Sequence, residues 1–345
     1  MAQMEMQGNG YDIPAIQTSS VGEVTYPPVA ASEKRKKGIY PAVITLPGDL
    51  LQLSSEFSQM PLSADTTRIS ARYFVENAVL SGLTPDERER ITPLVEGIIR
   101  LSGDGKMFND CSILYLGKNA QERHTPPELF EKELQAVREI MGNPPSNKEH
   151  DYSPYGFREI TERDRVDEDI IDQYAQLYKA FGWSRDEVIN ILQNPTNILL
   201  GTFVGDQLVS AGMAERAEFA IERGGAPQPF VMYEITEAAT REEYRGKGLY
   251  TKIASELMKV LAQTDIDLLY GESNAQAPGV LRAARTLGRT TSIETLAQFG
   301  FPPRFLEQHV RISGGVNDDR PLSEKNDLLP TYMTRDKLLQ YAHEH

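Results

Sequence analysis

The run Arg245-Gly246-Lys247-Gly248 carries the clearest chemistry in this sequence. It lies between a β-type stretch ending near Thr240 and a run in which Leu249, Ile253, Leu257 and Leu261 recur every four residues, the spacing of one buried face of a helix. Glycines remove the Cβ atoms that hold a ligand away from the main chain, and the opening turn of a helix offers N–H groups that have no intrahelical acceptor. The positive end of the helix, reinforced by Arg245 and Lys247, therefore favours a phosphate-bearing ligand. Upstream, Glu234 stands eleven residues before Arg245, with Glu237 between them. A carboxylate beside a bound electrophile can take the proton of an incoming ammonium, whose pKa near ~10 otherwise blocks attack. Period-2 geometry sends residues 234 and 237 to opposite faces of a regular strand, whereas a bulge would bring both toward one cleft.

Other chemistries find no support. There is no Gly-x-Gly-x-x-Gly and no Gly-Lys-Ser/Thr ending, which argues against a dinucleotide fold and a P-loop, and no Gly-x-Ser-x-Gly for a hydrolase. The five histidines are scattered without ligand spacing, so no metal site is expected. The single cysteine, Cys111, permits no intrachain disulfide, and its apolar neighbours Ile113 and Leu114 suit a buried structural thiol. A net charge of -14 argues against nucleic acid and anionic membrane and suits a cationic amine. No apolar run approaches ~20 residues and no basic-then-apolar leader opens the chain, so a cytoplasmic location is expected.

The elements that must position these residues fall into three stretches. Residues 1–38, rich in Gly, Pro, Ser and Gln and ending in Lys34-Arg35-Lys36-Lys37, read as a flexible arm. Residues 39–150 read as a small accessory α/β region. It has strands at YPAVITL and CSILYL, a helix opened by the capping box Thr84-Pro85-Asp86-Glu87, and another helix from Pro127 to Met141. The proline-rich segment from Gly142 to Gly156 marks the boundary with residues 151–345. There the pattern predicts a strand at Phe157–Thr161, a helix from Asp169 to Phe181 and a second capping box at Ser184 to Glu187. Two strands joined at Gly205-Asp206, the strand PFVMYEITEAA, the glycine turn, a helix and the strand IDLLYGES follow. The fold class is mixed α/β: a central sheet flanked by helices in the C-terminal half, with the smaller α/β region before it.

The cradle resembles the Arg-x-x-Gly-x-Gly/Ala signature of the GNAT superfamily of N-acetyltransferases. Arg245, Gly246, Gly248 and Leu249 match it, and Tyr250 stands where that family has Gly or Ala. The resemblance runs from about Phe157 to Lys337 and is nearest to β-lysine N-acetyltransferase-like proteins. It is carried by EITEAATREEYRGKGL, by the segment from Ala283 to Phe301, and by ISGGVNDD from Ile312. It implies acetyl-CoA as cosubstrate, its pyrophosphate held by Arg245, Gly246, Lys247, Gly248, Leu249 and Tyr250. The main chain of Ala238, Ala239 and Thr240 would pair with pantetheine and hold the thioester oxygen. Glu234 or Glu237 would be the general base. The acceptor implied is the primary amine of a small molecule, an amino acid above all, with its carboxylate on Arg285 and the turn Ser313-Gly314-Gly315.

Arg282, Arg285 and Arg289 have i, i+3, i+7 spacing on any helix through that stretch, suited to a phosphate or a carboxylate. Leu296 occupies the position of the family's thiolate-protonating Tyr, which leaves the general acid open. Trp183 is read as a core or substrate-wall residue. The same residues also accommodate a different acyl donor, or a non-catalytic CoA-binding module, and the composition is compatible with a homodimer.

Overall fold

The computed structural model describes residues 23–25, 43–45, 49–59, 68–101, 108, 110–119, 126–145, 149–179, 183–223, 226–307 and 327–345. Most of the arm, including Lys34 to Lys37, lies outside them, as do Ser313, Gly314 and Gly315.

The N-terminal region comprises β1 (Glu23–Thr25), β2 (Val43–Thr45), α1 (Leu50–Gln59), β3 (Arg68–Glu76), α2 (Asn77–Gly82), α3 (Pro85–Ile91), β4 (Val95–Leu101), β5 (Cys111–Asn119) and α4 (Pro127–Gly142). Four of its strands form an antiparallel sheet in the order β1-β3-β5-β4. The helix α3 begins where the capping box requires. The Thr84 side chain accepts from the Glu87 amide, and the Glu87 carboxylate takes the Thr84 amide at 2.8 Å, an arrangement worth about 1 kcal/mol.

The remainder is β6 (Gly156–Glu159), α5 (Glu168–Tyr178), α6 (Arg185–Gln193), β7 (Ile198–Val204), β8 (Gln207–Arg223), β9 (Ala226–Thr240), α7 (Leu249–Leu261), β10 (Leu268–Asn274), α8 (Pro278–Thr286), β11 (Thr290–Thr291), α9 (Ser292–Gln298), β12 (Leu306–Glu307), β13 (Asp327–Thr334) and α10 (Arg335–Glu344). The second capping box, Ser184 with Glu187, opens α6. A mixed sheet runs β11-β13-β10-β9-β8-β7-β6, with β12 on β13 and β2 on β8. Its neighbours are antiparallel except β9 with β10 and β2 with β8. Residues 43–45, read as part of the accessory region, therefore extend the C-terminal sheet. Their partner Ala220–Glu222 lies roughly 175 residues downstream, which local pattern cannot reveal.

Alternation along the strands sorts the core. On β9, Val231, Tyr233 and Ile235 face α7, whose buried stripe is Leu249, Ile253, Leu257 and Leu261, as the four-residue spacing requires. Phe230 and Met232 face the other way. With Leu268 and Tyr270 of β10 they meet Phe74, Ile113 and Tyr115 of the N-terminal sheet in one apolar layer. Each such side chain, fully buried, contributes about 1.5–3 kcal/mol, so the two sheets are held as a packed sandwich and not by a linker. Cys111 is buried in this layer. The far face of the N-terminal sheet, with Tyr73, Val75, Leu114 and Leu116, packs on α1 and receives Leu296, Phe299 and Phe301 from the C-terminal half.

Candidate active site at a strand fork

The parallel pair β9–β10 is short. Its register is Leu268↔Met232, Leu269↔Tyr233 and Tyr270↔Glu234, and no further pair joins the two strands among the described residues. Yet β9 continues to Thr240 and β10 to Asn274. Beyond the split β9 is held by β8, with Ala211↔Ala239 and Ser210↔Thr240, and β10 by β13, with Gly271↔Thr331 through Asn274↔Leu328. The two strands thus present inner edges to each other across a fork, where an extended ligand can pair as an added strand.

Two features shape it. The β8–β9 register shifts between Ala211 and Met213, so that Met213 opposes Thr236 while Ala211 opposes Ala239. That is a bulge in β9 at Glu237 and Ala238, and bulges bend and twist the strand that carries them. Next, Gly271 sits at the point of divergence, where a Cβ would lie 2.8 Å from the Ile235 carbonyl and 2.6 Å from Arg289 Nη2. The bulge anticipated from the Glu234/Glu237 spacing is present, while the Glu237 side chain lies outside the described residues.

The glycine turn stands at the open end of the fork. After β9 come a 3-10 turn (Glu242–Tyr244), the extended Arg245, and then Gly246 and Gly248 at φ 73° and 75°, a conformation that L side chains adopt at a cost. Gly248 is the N-cap of α7 and supplies no side-chain cap, so the first amides of the helix are left for another acceptor. Arg245 and Lys247 are exposed; Arg245 Nε donates to the Thr240 carbonyl at 3.3 Å, and Lys247 Nζ lies 4.9 Å over the Tyr244 ring. A Cβ at Gly246 would meet open space, whereas one at Gly248 would come within 2.7 Å of His150 and of the Tyr152 hydroxyl. These residues fit a diphosphate: exposed cations, two left-handed glycines and a helix opening converge on one place. Tyr250, in the first turn, is half-buried, and burial pushes its phenol above the usual range while Arg289 acts the other way.

At the closed end lies a group of charges. Glu234 points to the face shared with Met232, and Glu215 on β8 is its register partner. The Tyr270 hydroxyl donates to Glu234 Oε2 at 2.8 Å. Arg72, on β3 of the other sheet, reaches across: Nη1 donates to Tyr270 Oη at 3.2 Å and Nη2 to Glu272 Oε1 at 2.5 Å. Its guanidinium lies 5.1 Å from the Tyr115 ring and 5.3 Å from that of Tyr270. Burial, then the negative charge of Glu272, push the Glu234 carboxyl up to about 7, while Arg72 draws it down and Glu215 raises it. A half-buried carboxyl that exchanges its proton near neutrality suits a general base.

The remaining expected residues are held by other contacts. The helix α8 ends at Thr286, so the three arginines share no helical face: Arg282 is exposed on it, Arg285 Nε donates to the Asn143 carbonyl at 3.2 Å, and Arg289 lies beyond it, buried, with Nη2 on the Thr331 carbonyl at 2.8 Å. Leu296 is fully enclosed in the N-terminal core, where no side chain at that position reaches the fork without unpacking it. Trp183 stacks on Tyr178 at 5.0 Å, in the layer that packs α5 and α6 on the sheet. Sequence reasoning missed Glu215, Tyr270, Glu272 and Arg72. Tyr270 and Glu272 were within reach, being alternate residues of the strand expected after α7; Arg72, 198 residues from Tyr270, had no local signal.

Among the described residues no group of His, Cys, Asp or Glu forms a metal-binding cluster, and no helix is long and apolar enough to cross a membrane. No family model and no curated protein matches the sequence. Solved structures are similar in fold over about half of the chain. An NAA60 structure from Arabidopsis thaliana in complex with acetyl-CoA is 12% identical, covering 52% of this chain and 98% of that one at a TM-score of 0.39. The putative acetyltransferase yncA from Salmonella typhimurium, with its cofactor acetyl-CoA, is 15% identical over 53% and 95% of the chains at 0.37. The spermidine/spermine N-acetyltransferase SpeG from Vibrio cholerae, in mutant forms, is 12% identical over 55% and 98% at 0.36.

Proposed function

We propose that this chain is a GNAT-type N-acetyltransferase that moves acetyl from acetyl-CoA to the primary amine of a small molecule by direct attack, with residues 151–345 as the transferase unit. The observation that carries the reading is the fork between β9 and β10, with a phosphate cradle at its open end and a carboxyl poised near neutrality at its closed end. The distance between such ends has to be bridged by something long and extended, and pantetheine on a diphosphate has that form.

Arg245, Lys247 and the amides following Gly248 hold the diphosphate. The inner edge of β9 at Ala238, Ala239 and Thr240 aligns the chain of the cosubstrate, and an amide there faces the thioester oxygen as it gains charge. Acetyl-CoA, when bound, would supply a thioester carbonyl at which the C–N bond forms as the C–S bond breaks, the thiolate leaving with the second proton of the attacking nitrogen. Glu234 takes the ammonium proton, directly or through a water, before attack. Glu215 and Glu272 add negative charge around it, which suits a cationic acceptor. With Leu296 enclosed, the family's usual proton donor to the thiolate has no counterpart at that position.

The acceptor we favour is an amino acid of the lysine or diamino class. Arg285 engages only Nε among the described residues, which leaves both Nη groups for a carboxylate. Thiol release from acetyl-CoA across a panel of diamino acids, diamines and basic peptides tests the assignment. Release with an amine supports it. Release only with another acyl-CoA replaces the donor, and CoA binding without release for any donor reduces the chain to a binding module.

A further inference from the structure

We propose that Arg72, carried by the N-terminal sheet, is a positioning residue for Glu234, so that residues 39–150 complete the active site by placing one guanidinium over β10. The inference rests on Glu234 acting as the base. Its ground is the direction of the hydrogen bonds. Arginine has donors only, so the Tyr270 oxygen must accept from Arg72 Nη1 at 3.2 Å, and the one phenolic proton is left to point at Glu234 Oε2, 2.8 Å away. The same guanidinium pairs with Glu272, with side-chain exposures of 16% and 11%, where screening by water is weak. Its Cζ also lies within cation–π reach of two rings, 5.1 Å from that of Tyr115 and 5.3 Å from that of Tyr270, which restrains it further. Arg72 thus does two things at once: it fixes the donor to Glu234 and offsets Glu272, the stronger of the two like charges acting on it.

The groups facing Glu234 are Glu215 from β8, Tyr270 and Glu272 from β10, Arg72 from β3, and Arg289 from beyond α8. Glu272 and Glu215 raise its proton affinity, and Arg72 and Tyr270 lower it. Loss of Arg72 removes one opposing charge and bares another like charge. The base would then hold its proton at neutral pH.

The test is the acid limb of kcat/KM against pH, together with direct titration of the Glu234 carboxyl by carbon NMR in protein labelled at glutamate. Arg72→Met should move both upward by about one unit, the size of shift a single nearby charge produces. Glu272→Gln should move them downward, and the double variant should return near the unsubstituted protein. Arg72→Lys, which keeps the charge and loses the fork, should fall between. A folded Arg72→Met with both readouts unmoved would overturn the inference, since a residue that merely joins two sheets lowers stability without shifting a titration. Should Arg72→Met fail to fold, Glu272→Gln decides: a limb that does not fall overturns the proposal equally. Full turnover in Glu234→Gln would instead remove the base itself, a failure distinct from an unmoved limb in an enzyme that needs Glu234.

Discussion

The two ends of the fork are built in opposite ways. The cradle is contiguous: Arg245 to Tyr250 in chain order, shaped by two left-handed glycines and the start of one helix. The carboxylate end is assembled from four strands, β3, β8, β9 and β10, and from residues up to 200 positions apart. The first is a backbone device, for which glycine content and helix polarity suffice. The second is a side-chain device, and its properties come from distance and burial that only the folded sandwich supplies. An anion site written in the backbone tolerates change in its neighbours, whereas a tuned carboxyl depends on every charge around it.

The contrast is sharpest at Glu234. Glu234→Gln keeps shape and removes proton affinity, so turnover near neutral pH should fall by about 10²-fold or more, while acetyl-CoA affinity by calorimetry stays unchanged. Unaltered turnover would pass the role to Glu237 or to another group. At the other end, Gly246→Glu should weaken CoA about tenfold or more, because a carboxylate near a phosphate is repelled even in high dielectric. A Cβ at Gly246 meets open space but its φ of 73° strains any L side chain, so the charge effect is the difference between Gly246→Glu and Gly246→Ala, whereas Gly248→Glu also displaces His150 and Tyr152. Unchanged CoA affinity in a folded Gly246→Glu protein would remove the phosphate from the cradle.

Smaller effects separate the ends further. A diamino acid should be acetylated severalfold faster in kcat/KM than its decarboxylated diamine, since an Arg–carboxylate contact at a partly exposed site is worth about 1 kcal/mol. Equal values would take Arg285 out of the acceptor pocket and leave the transferase reading standing. A separate effect is on stability. The Glu234 carboxyl is raised to about 7 in the folded chain from an ordinary 4.5, so between those values the folded state holds more protons than the unfolded one, and stability falls as pH rises. Glu234→Gln should therefore melt higher than the unsubstituted protein at pH 8, with the difference shrinking as pH falls through that window. A calorimetric scan showing no difference at pH 8 would mean that the ionised carboxyl bears no burial penalty.

What was legible in the sequence follows the same division. Both capping boxes, at Thr84 and Ser184, open helices, because four consecutive residues suffice to define them. The α7 stripe, the β7–β8 turn at Gly205-Asp206 and the strand carrying Glu234 are equally local. The spacing of Glu234 and Glu237 raised a bulge only as one option, and the β8–β9 register shift supplies it. The pairing of β2 with β8, the burial of Leu296 in the other region's core and the arrival of Arg72 at Glu272 were not legible. Each is a choice among many apolar or charged surfaces that look alike in one dimension. Arg285 and Arg289 show the reverse error: regular spacing suggested a shared helix face, and the helix stopped between them.

The insertion of Leu296, Phe299 and Phe301 into the core of Tyr73, Leu114 and Leu116 also bears on how the chain comes into being. During synthesis, at about 5–20 residues per second, the ribosome finishes residues 50–119 many seconds before it makes the plug that closes their apolar side. Over that interval the early region carries an open apolar socket, prone to capture by a chaperone or by another nascent chain. Severed between residues 145 and 149, neither part should be soluble alone, and co-synthesis of the two should restore both.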